Sequence, residues 1–139
     1  MGTRADFYVG TGPDAEWLGS ISYNGDPQGT PRNIVRTTSE RAFRSGVSRL
    51  LKSERCRGAE CTTPDEGWPW PWPDSRTTDY AYAFADGAVV VSFFGRRWSV
   101  PGREAASGPK MRDDEVVNMA GRAMDAAGMF AKSGMVLVR

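Results

Sequence analysis

The chain has 139 residues, 18 basic and 17 acidic side chains for a net charge of +1, and no histidine. That balance removes the global field that draws a protein to nucleic acid or anionic lipid. The missing imidazole removes Ser-His-Asp, Cys-His and histidine acid–base chemistry from this chain.

Hydrophobic residues at 40% and charged residues at 25% are the mixture of a folded domain. The length predicts one domain, residues 1–139. No apolar run approaches the ~20 residues of a membrane span, so no membrane partner is expected. The opening "MGTRADFYVG" lacks the apolar core of a signal peptide. Asp6 stands where a myristoylation signal carries Ser or Thr. The expected setting is therefore the cytoplasm.

Ala5 to Val9, "ADFYV", is rich in aromatic and β-branched residues and predicts a strand. Trp17 to Tyr23 alternates, which predicts a second strand with Trp17, Gly19, Ile21 and Tyr23 on one face. Asn24-Gly25 is a turn signal, and "DPQGTPR" reads as loop. Thr37-x-x-Glu40 matches a capping box, so a helix is expected to begin near Thr38. Phe43, Val47, Leu50 and Leu51 then mark one helical face, fading near Glu54 to Gly58.

Residues 56–79 form a long irregular segment rich in tryptophan and proline. Tyr80, Tyr82 and Phe84 alternate up to Asp86-Gly87, and Val89, Val91 and Phe93 alternate after it. This predicts a hairpin with a type I′ turn. A short further strand is expected around Trp98. Asp113, Asp114 and Glu115 place acids at a helix start, with Val116, Val117, Ala120, Ala123, Met124 and Ala127 as its apolar stripe and Gly134 as its stop. "MVLVR" reads as a last strand. The expected fold is α+β: an antiparallel or mixed sheet with two helices packed on it and a long Trp/Pro-rich loop.

Chemistry is sparse. Gly10-x-Gly12 lacks the third glycine of a dinucleotide fingerprint and reads as a turn. Cys56 and Cys61, spaced C-x4-C, fall short of a four-ligand zinc set. They read as reduced thiols, with a loop disulfide and a carboxylate-assisted metal site as the disfavoured alternatives. Asp14, Glu16, Asp26, Asp65, Glu66, Asp74 and Asp79 lie in or near loops, but their spacing singles out no acid–base pair. No catalytic residue, metal or cofactor is assigned, and the balance leans against an enzyme.

"GWPWPWPDSRTTDY" is the feature most in need of a reason. Prolines at alternate positions remove ladder donors and favour extended, polyproline-like backbone. Such a chain has about three residues per turn, so Trp68, Trp70 and Trp72 cannot all project one way. One reading clamps the rings onto the body, where each contributes a large apolar area. The other holds at least one ring out beside Asp74, Arg76 and Tyr80, residue types enriched in binding hot spots. The two are compatible, and they make these six residues the candidate partner-binding set. A second candidate surface, Arg96, Arg97, Trp98 and Arg103, could hold a nucleotide by charge and stacking; a solvated strand end with a core tryptophan is the plainer reading.

"MGTRADFYVG", "AEWLGSI" and "WPWPWPDSRTTDYAYAF" resemble recurring segments of a family of small uncharacterised proteins in bacterial genomes and their phages or prophages. The resemblance covers Met1 to about Phe94. It implies a setting, an accessory protein inside a bacterial host cell, and no activity, cofactor or catalytic residue. The leading expectation is a non-enzymatic module that docks on a host protein, as an inhibitor or modulator of a host system such as defence, through the Trp/Pro-rich segment. A small-ligand, nucleotide-binding protein is the alternative, and a carboxylate-dependent small enzyme is third. Nucleic acid is not an expected partner, and a homo-oligomer is left open.

Overall fold

Ala5–Val9 forms the strand its composition predicts, β1, in a computed structural model that describes residues 2–56, 61–101 and 108–116. Around it are β2 (Glu16–Ile21), the helices α1 (Arg32–Val35) and α2 (Glu40–Cys56), and the strands β3 (Cys61–Thr62), β4 (Tyr80–Ala85) and β5 (Ala88–Phe93). The architecture is α+β, with a mixed five-stranded sheet in the order β3-β2-β1-β4-β5. Strand β1 is antiparallel to β2 and parallel to β4.

The hairpin β4–β5 has the expected register, with Tyr80, Tyr82 and Phe84 opposite Phe93, Val91 and Val89. Asp86 and Gly87 both take positive φ, 54° and 80°, as a type I′ turn requires. Near Trp98 the described residues form no further strand, only isolated bridges of Val91 with Ser99 and of Arg96 with Lys110.

The single face expected for Trp17, Gly19, Ile21 and Tyr23 does not exist. Phe7 pairs with Gly19 but Tyr8 pairs with Trp17, so Leu18 is an extra residue in a bulge. The bulge turns Trp17 to one side of the sheet and Ile21 to the other. Gly19 makes it feasible. It takes φ 140°, and a Cβ there would lie 2.7 Å from both Leu51 Cδ1 and the Thr62 carbonyl oxygen. Tyr23 lies beyond the strand and is exposed.

Helix α2 also begins later than the Thr37 capping box predicts. Ser39 is the cap: its hydroxyl accepts from the Ala42 N–H at 3.2 Å, while Thr37 Oγ1 accepts from the Ser39 N–H. Phe43, Val47 and Leu51 are buried as expected, with Leu50 half-buried beside them. Helix α1 is unexpected. Pro31, read as a loop residue, sits at its N-cap, where proline's fixed φ and absent N–H suit a helix start. The second helix expected, with its stripe from Val117 to Ala127 and its stop at Gly134, lies outside the described residues, as do "MVLVR" and Arg103. Only a 3-10 turn at Asp113–Glu115 and the buried Val116 represent that region. The Cys56 side chain is likewise outside them; the Cys61 thiol donates to the Leu51 carbonyl at 3.2 Å.

The sheet is therefore a middle layer. On one face Ala5, Phe7, Ile21, Tyr82, Phe84, Val89 and Val91 pack under both helices. On the other, Tyr8, Ala15, Trp17, Ala81 and Ala83 pack against Trp68, Val90 and Trp98. No helix among the described residues is long and apolar enough to cross a membrane.

Gly19→Ala is expected to lower the unfolding free energy by about 2–4 kcal/mol, from backbone strain and overpacking together. Gly87→Ala, where the glycine takes φ 80° in the left-handed region with open space around it, is expected to cost only about 1 kcal/mol. Urea unfolding of the two variants checks the difference.

Candidate functional site

The connection from β3 to β4 must travel from the sheet edge past β2 and β1, three strand spacings or about 14 Å. It does so on the face opposite the helices, and the Trp/Pro segment is that crossing. A short 3-10 turn at Pro64–Glu66 starts it, with Thr63 and Glu66 forming a reciprocal capping box. The ring of Trp68 then meets Trp17 of β2 edge-on, at 5.2 Å and 66°. Trp70 and Ser75 reach Asp6 of β1, and the chain enters β4 at Tyr80.

The segment is not an extended polyproline helix. That geometry would separate residues 68 and 72 by about 12 Å of rise, yet the Trp68 indole N–H donates to the Trp72 carbonyl at 2.6 Å. The bend lets the Trp70 and Trp72 rings stack at 5.6 Å and 17°.

Asp6 is the fixed point of the crossing. Alternation along β1 places Phe7 under the helices, so Asp6 and Tyr8 face the Trp/Pro segment. The Asp6 side chain is fully buried. Its Oδ1 accepts from Ser20 Oγ at 2.6 Å and from Trp70 Nε1 at 2.7 Å; its Oδ2 accepts from Ser75 Oγ at 2.6 Å. Ser20 Oγ in turn accepts from Trp17 Nε1 at 3.1 Å, and Ser75 Oγ hydrogen-bonds the Tyr8 hydroxyl. Burial pushes the Asp6 carboxyl up from its ordinary range, and hydrogen bonds from Ser20, Ser75, Trp70 and Thr78 draw it part of the way back. Burial, together with the neighbouring Asp6 charge, also pushes the Tyr8 phenol well up.

The candidate partner-binding residues thus divide. Trp68 is turned inward. Trp70 and Trp72 are partly buried: Trp70 donates to Asp6 and Trp72 donates to Thr78 Oγ1 at 2.8 Å. What they leave for contact is ring surface rather than indole N–H. Asp74 is buried at 7% exposure and accepts from the Arg76 backbone N–H at 2.9 Å and from Arg76 Nη2 at 3.1 Å. Arg76 is exposed. Tyr80 lies apart, half-buried between Tyr82 and Phe93 on the helix-side face of the sheet.

Arg4 connects the two sides. Its guanidinium lies 5.8 Å from the Trp70 ring centre and 5.5 Å from that of Trp72. It also pairs with Asp79 at 3.4 Å, and the Arg4 backbone N–H donates to the same carboxylate at 3.0 Å. On its other flank, Arg4, Asp26, Asp79, Tyr80 and Phe93 line a groove of about 540 Å³ at the start of β1 and β4.

Of the second candidate surface, Arg96, Arg97 and Trp98 lie among the described residues. Arg97 donates to Glu115 at 2.8 Å, Arg96 forms a bridge with Lys110, and Trp98 packs against the cluster around Trp17. Sequence reasoning missed Arg4 and Asp6. The signal for Asp6 was a lone acid inside an otherwise apolar strand, which requires donors from somewhere.

Asp6→Leu leaves Trp70, Ser20 and Ser75 without their acceptor and is expected to cost at least ~3 kcal/mol, with a red shift in tryptophan emission. Asp6→Asn keeps the shape and removes the titration. The raised folded value means that this group's contribution is full below its ordinary 3.8 and is lost as pH rises through the folded value. The stability gap between wild type and Asp6→Asn is therefore expected to narrow on going from about pH 4 toward neutrality, read by urea unfolding across that range.

No family model matches this chain, and no curated protein or solved structure is significantly similar to it.

Proposed function

We propose that this is a non-enzymatic binding protein that docks on a protein partner through the outer face of the Trp/Pro crossing. The observation that carries the reading is the Trp70–Trp72 stack capped by Arg4, with Arg76 exposed close by in sequence. Tryptophan and arginine dominate binding hot spots because they combine area, stiffness and hydrogen bonding. The crossing is held from beneath by Asp6 and Thr78, so little conformational entropy remains to be lost on contact. The resemblance to bacterial and phage accessory proteins supports a bacterial host component as the partner, and inhibition or modulation of a host system as the consequence.

The nucleotide-binding alternative draws less support, since Arg97 is engaged by Glu115. The carboxylate-enzyme reading has one observation in its favour, because Asp26 and Asp79 line the same groove. Asp79 is committed to Arg4, however, and a two-carboxylate mechanism needs both groups.

The docking test compares recovery of the same partner by wild type, Trp72→Ala and Arg76→Glu. Each substitution is expected to weaken the complex at least about tenfold, which is about 1.4 kcal/mol. Variants that melt with the wild type and retain every partner would make the crossing purely structural.

A further inference from the structure

The groove at the start of β1 and β4 has a charge arrangement that docking through the tryptophan rings leaves unused. Two acids, Asp26 and Asp79, and one base, Arg4, line it. Arg4 is already engaged by Asp79 and by the faces of Trp70 and Trp72. Asp26 is different. Its backbone carbonyl is fixed by the N–H groups of Gly29 at 3.0 Å and Thr30 at 2.9 Å and by Thr30 Oγ1 at 3.0 Å. No donor among the described residues reaches its carboxylate. A backbone held by three hydrogen bonds therefore carries a half-buried acid with no ion pair among the described residues, in a groove that the rings of Tyr80 and Phe93 also line.

We propose that this groove receives a cationic side chain, arginine or lysine, from a protein partner, with Asp26 as the counter-ion and Tyr80 and Phe93 as the apolar wall. The inference rests on the docking reading and deepens it, since Arg4 joins the groove directly to the Trp70–Trp72 face. The surplus negative charge disfavours a phosphate or nucleotide here. A bare divalent cation fits poorly, because it needs about six oxygen ligands and no group of three His, Cys, Asp or Glu occurs among the described residues. A guanidinium suits the site better. It pairs with a carboxylate through parallel N–H bonds, and its planar face and alkyl stem pack on aromatic rings. The volume, about 540 Å³, holds such a side chain with its flanking backbone.

The probe is N-acetyl-arginine amide, titrated into the isotope-labelled full chain and followed by amide NMR shifts. The expected result is saturable shifts at residues 2–4, 26, 79–80 and 93, with a dissociation constant of about 1–10 mM, as befits a single side chain. N-acetyl-glutamate amide and adenosine monophosphate are expected to give none there. Asp26→Asn, which disturbs no described hydrogen bond of the carboxylate, is expected to weaken the arginine probe at least about fivefold; Asp86→Asn, at the exposed hairpin turn, should leave it unchanged.

No saturable shift up to about 50 mM probe, equal response to the anions, or full binding by a folded Asp26→Asn variant overturns the inference. The two readings fail separately. Loss of the partner in Trp72→Ala without probe binding leaves docking standing and removes the cation site. Probe binding at the groove with every partner retained by Trp72→Ala and Arg76→Glu leaves the cation site standing and removes docking through the rings.

Discussion

A carboxylate placed in the middle of a sheet, with no cation beside it, has to be surrounded by donors or it expels whatever covers it. Among the described residues Asp6 is in that position, and much of the molecule is arranged to answer it. Serines from two different segments, an indole N–H and a threonine converge on one side chain. Two further groups, Trp17 and Tyr8, complete the hydroxyls that serve it. Because the donors come from β2 and from both ends of the Trp/Pro crossing, one acid ties the crossing to two strands. Hydrogen bonds to a charged group each contribute about 1.5–3 kcal/mol, while desolvation of the carboxylate costs several kcal/mol. The net gain is therefore less in stability than in position: few other packings of the crossing would satisfy so many donors at once.

That positioning explains why prolines and tryptophans alternate over the face that lacks a helix in the described structure. Proline removes backbone N–H groups that would have no ladder partner on a crossing segment. Tryptophan supplies the apolar area that a helix would otherwise contribute, together with an N–H that can replace a backbone donor. Each of the three indoles uses its N–H inside the segment or on β1. The cost of covering a sheet with so short a layer is that ring faces remain partly open to solvent. Arg4 lies across two of them, and this single contact makes one continuous surface of the crossing and the groove at the start of β1 and β4.

Local pattern made much of this fold legible. The hairpin from Tyr80 to Phe93 and the strand Ala5–Val9 follow from alternation and an Asp-Gly turn, and the buried face of α2 follows from its periodicity. The misreadings have physical causes. The bulge at Leu18 depends on a glycine whose neighbours, Leu51 and Thr62, are distant in sequence. Three cap-like residues, Thr37, Thr38 and Ser39, stand within three positions of α2, and it is Ser39 whose hydroxyl accepts from Ala42. Of the candidate site, the tryptophans and Arg76 were visible as residue types. Asp26 and Asp79 were visible only as two of several loop acids and Arg4 not at all, because an arginine ahead of a strand and an aspartate in a turn become neighbours of a groove only after β1 and β4 align in parallel.

That parallel alignment has a consequence for how the chain reaches its native state. The β4–β5 hairpin closes over two residues and belongs to the microsecond class of events. The β1–β4 seam joins groups such as Arg4 and Asp79, which are 75 residues apart, and long-range pairings of this kind are slow because loop closure precedes their reward. The donors around Asp6 likewise come from segments up to 69 residues away from it. The indole layer is thus fastened by contacts of long sequence separation, the class whose loop-closure cost is met before the contact forms.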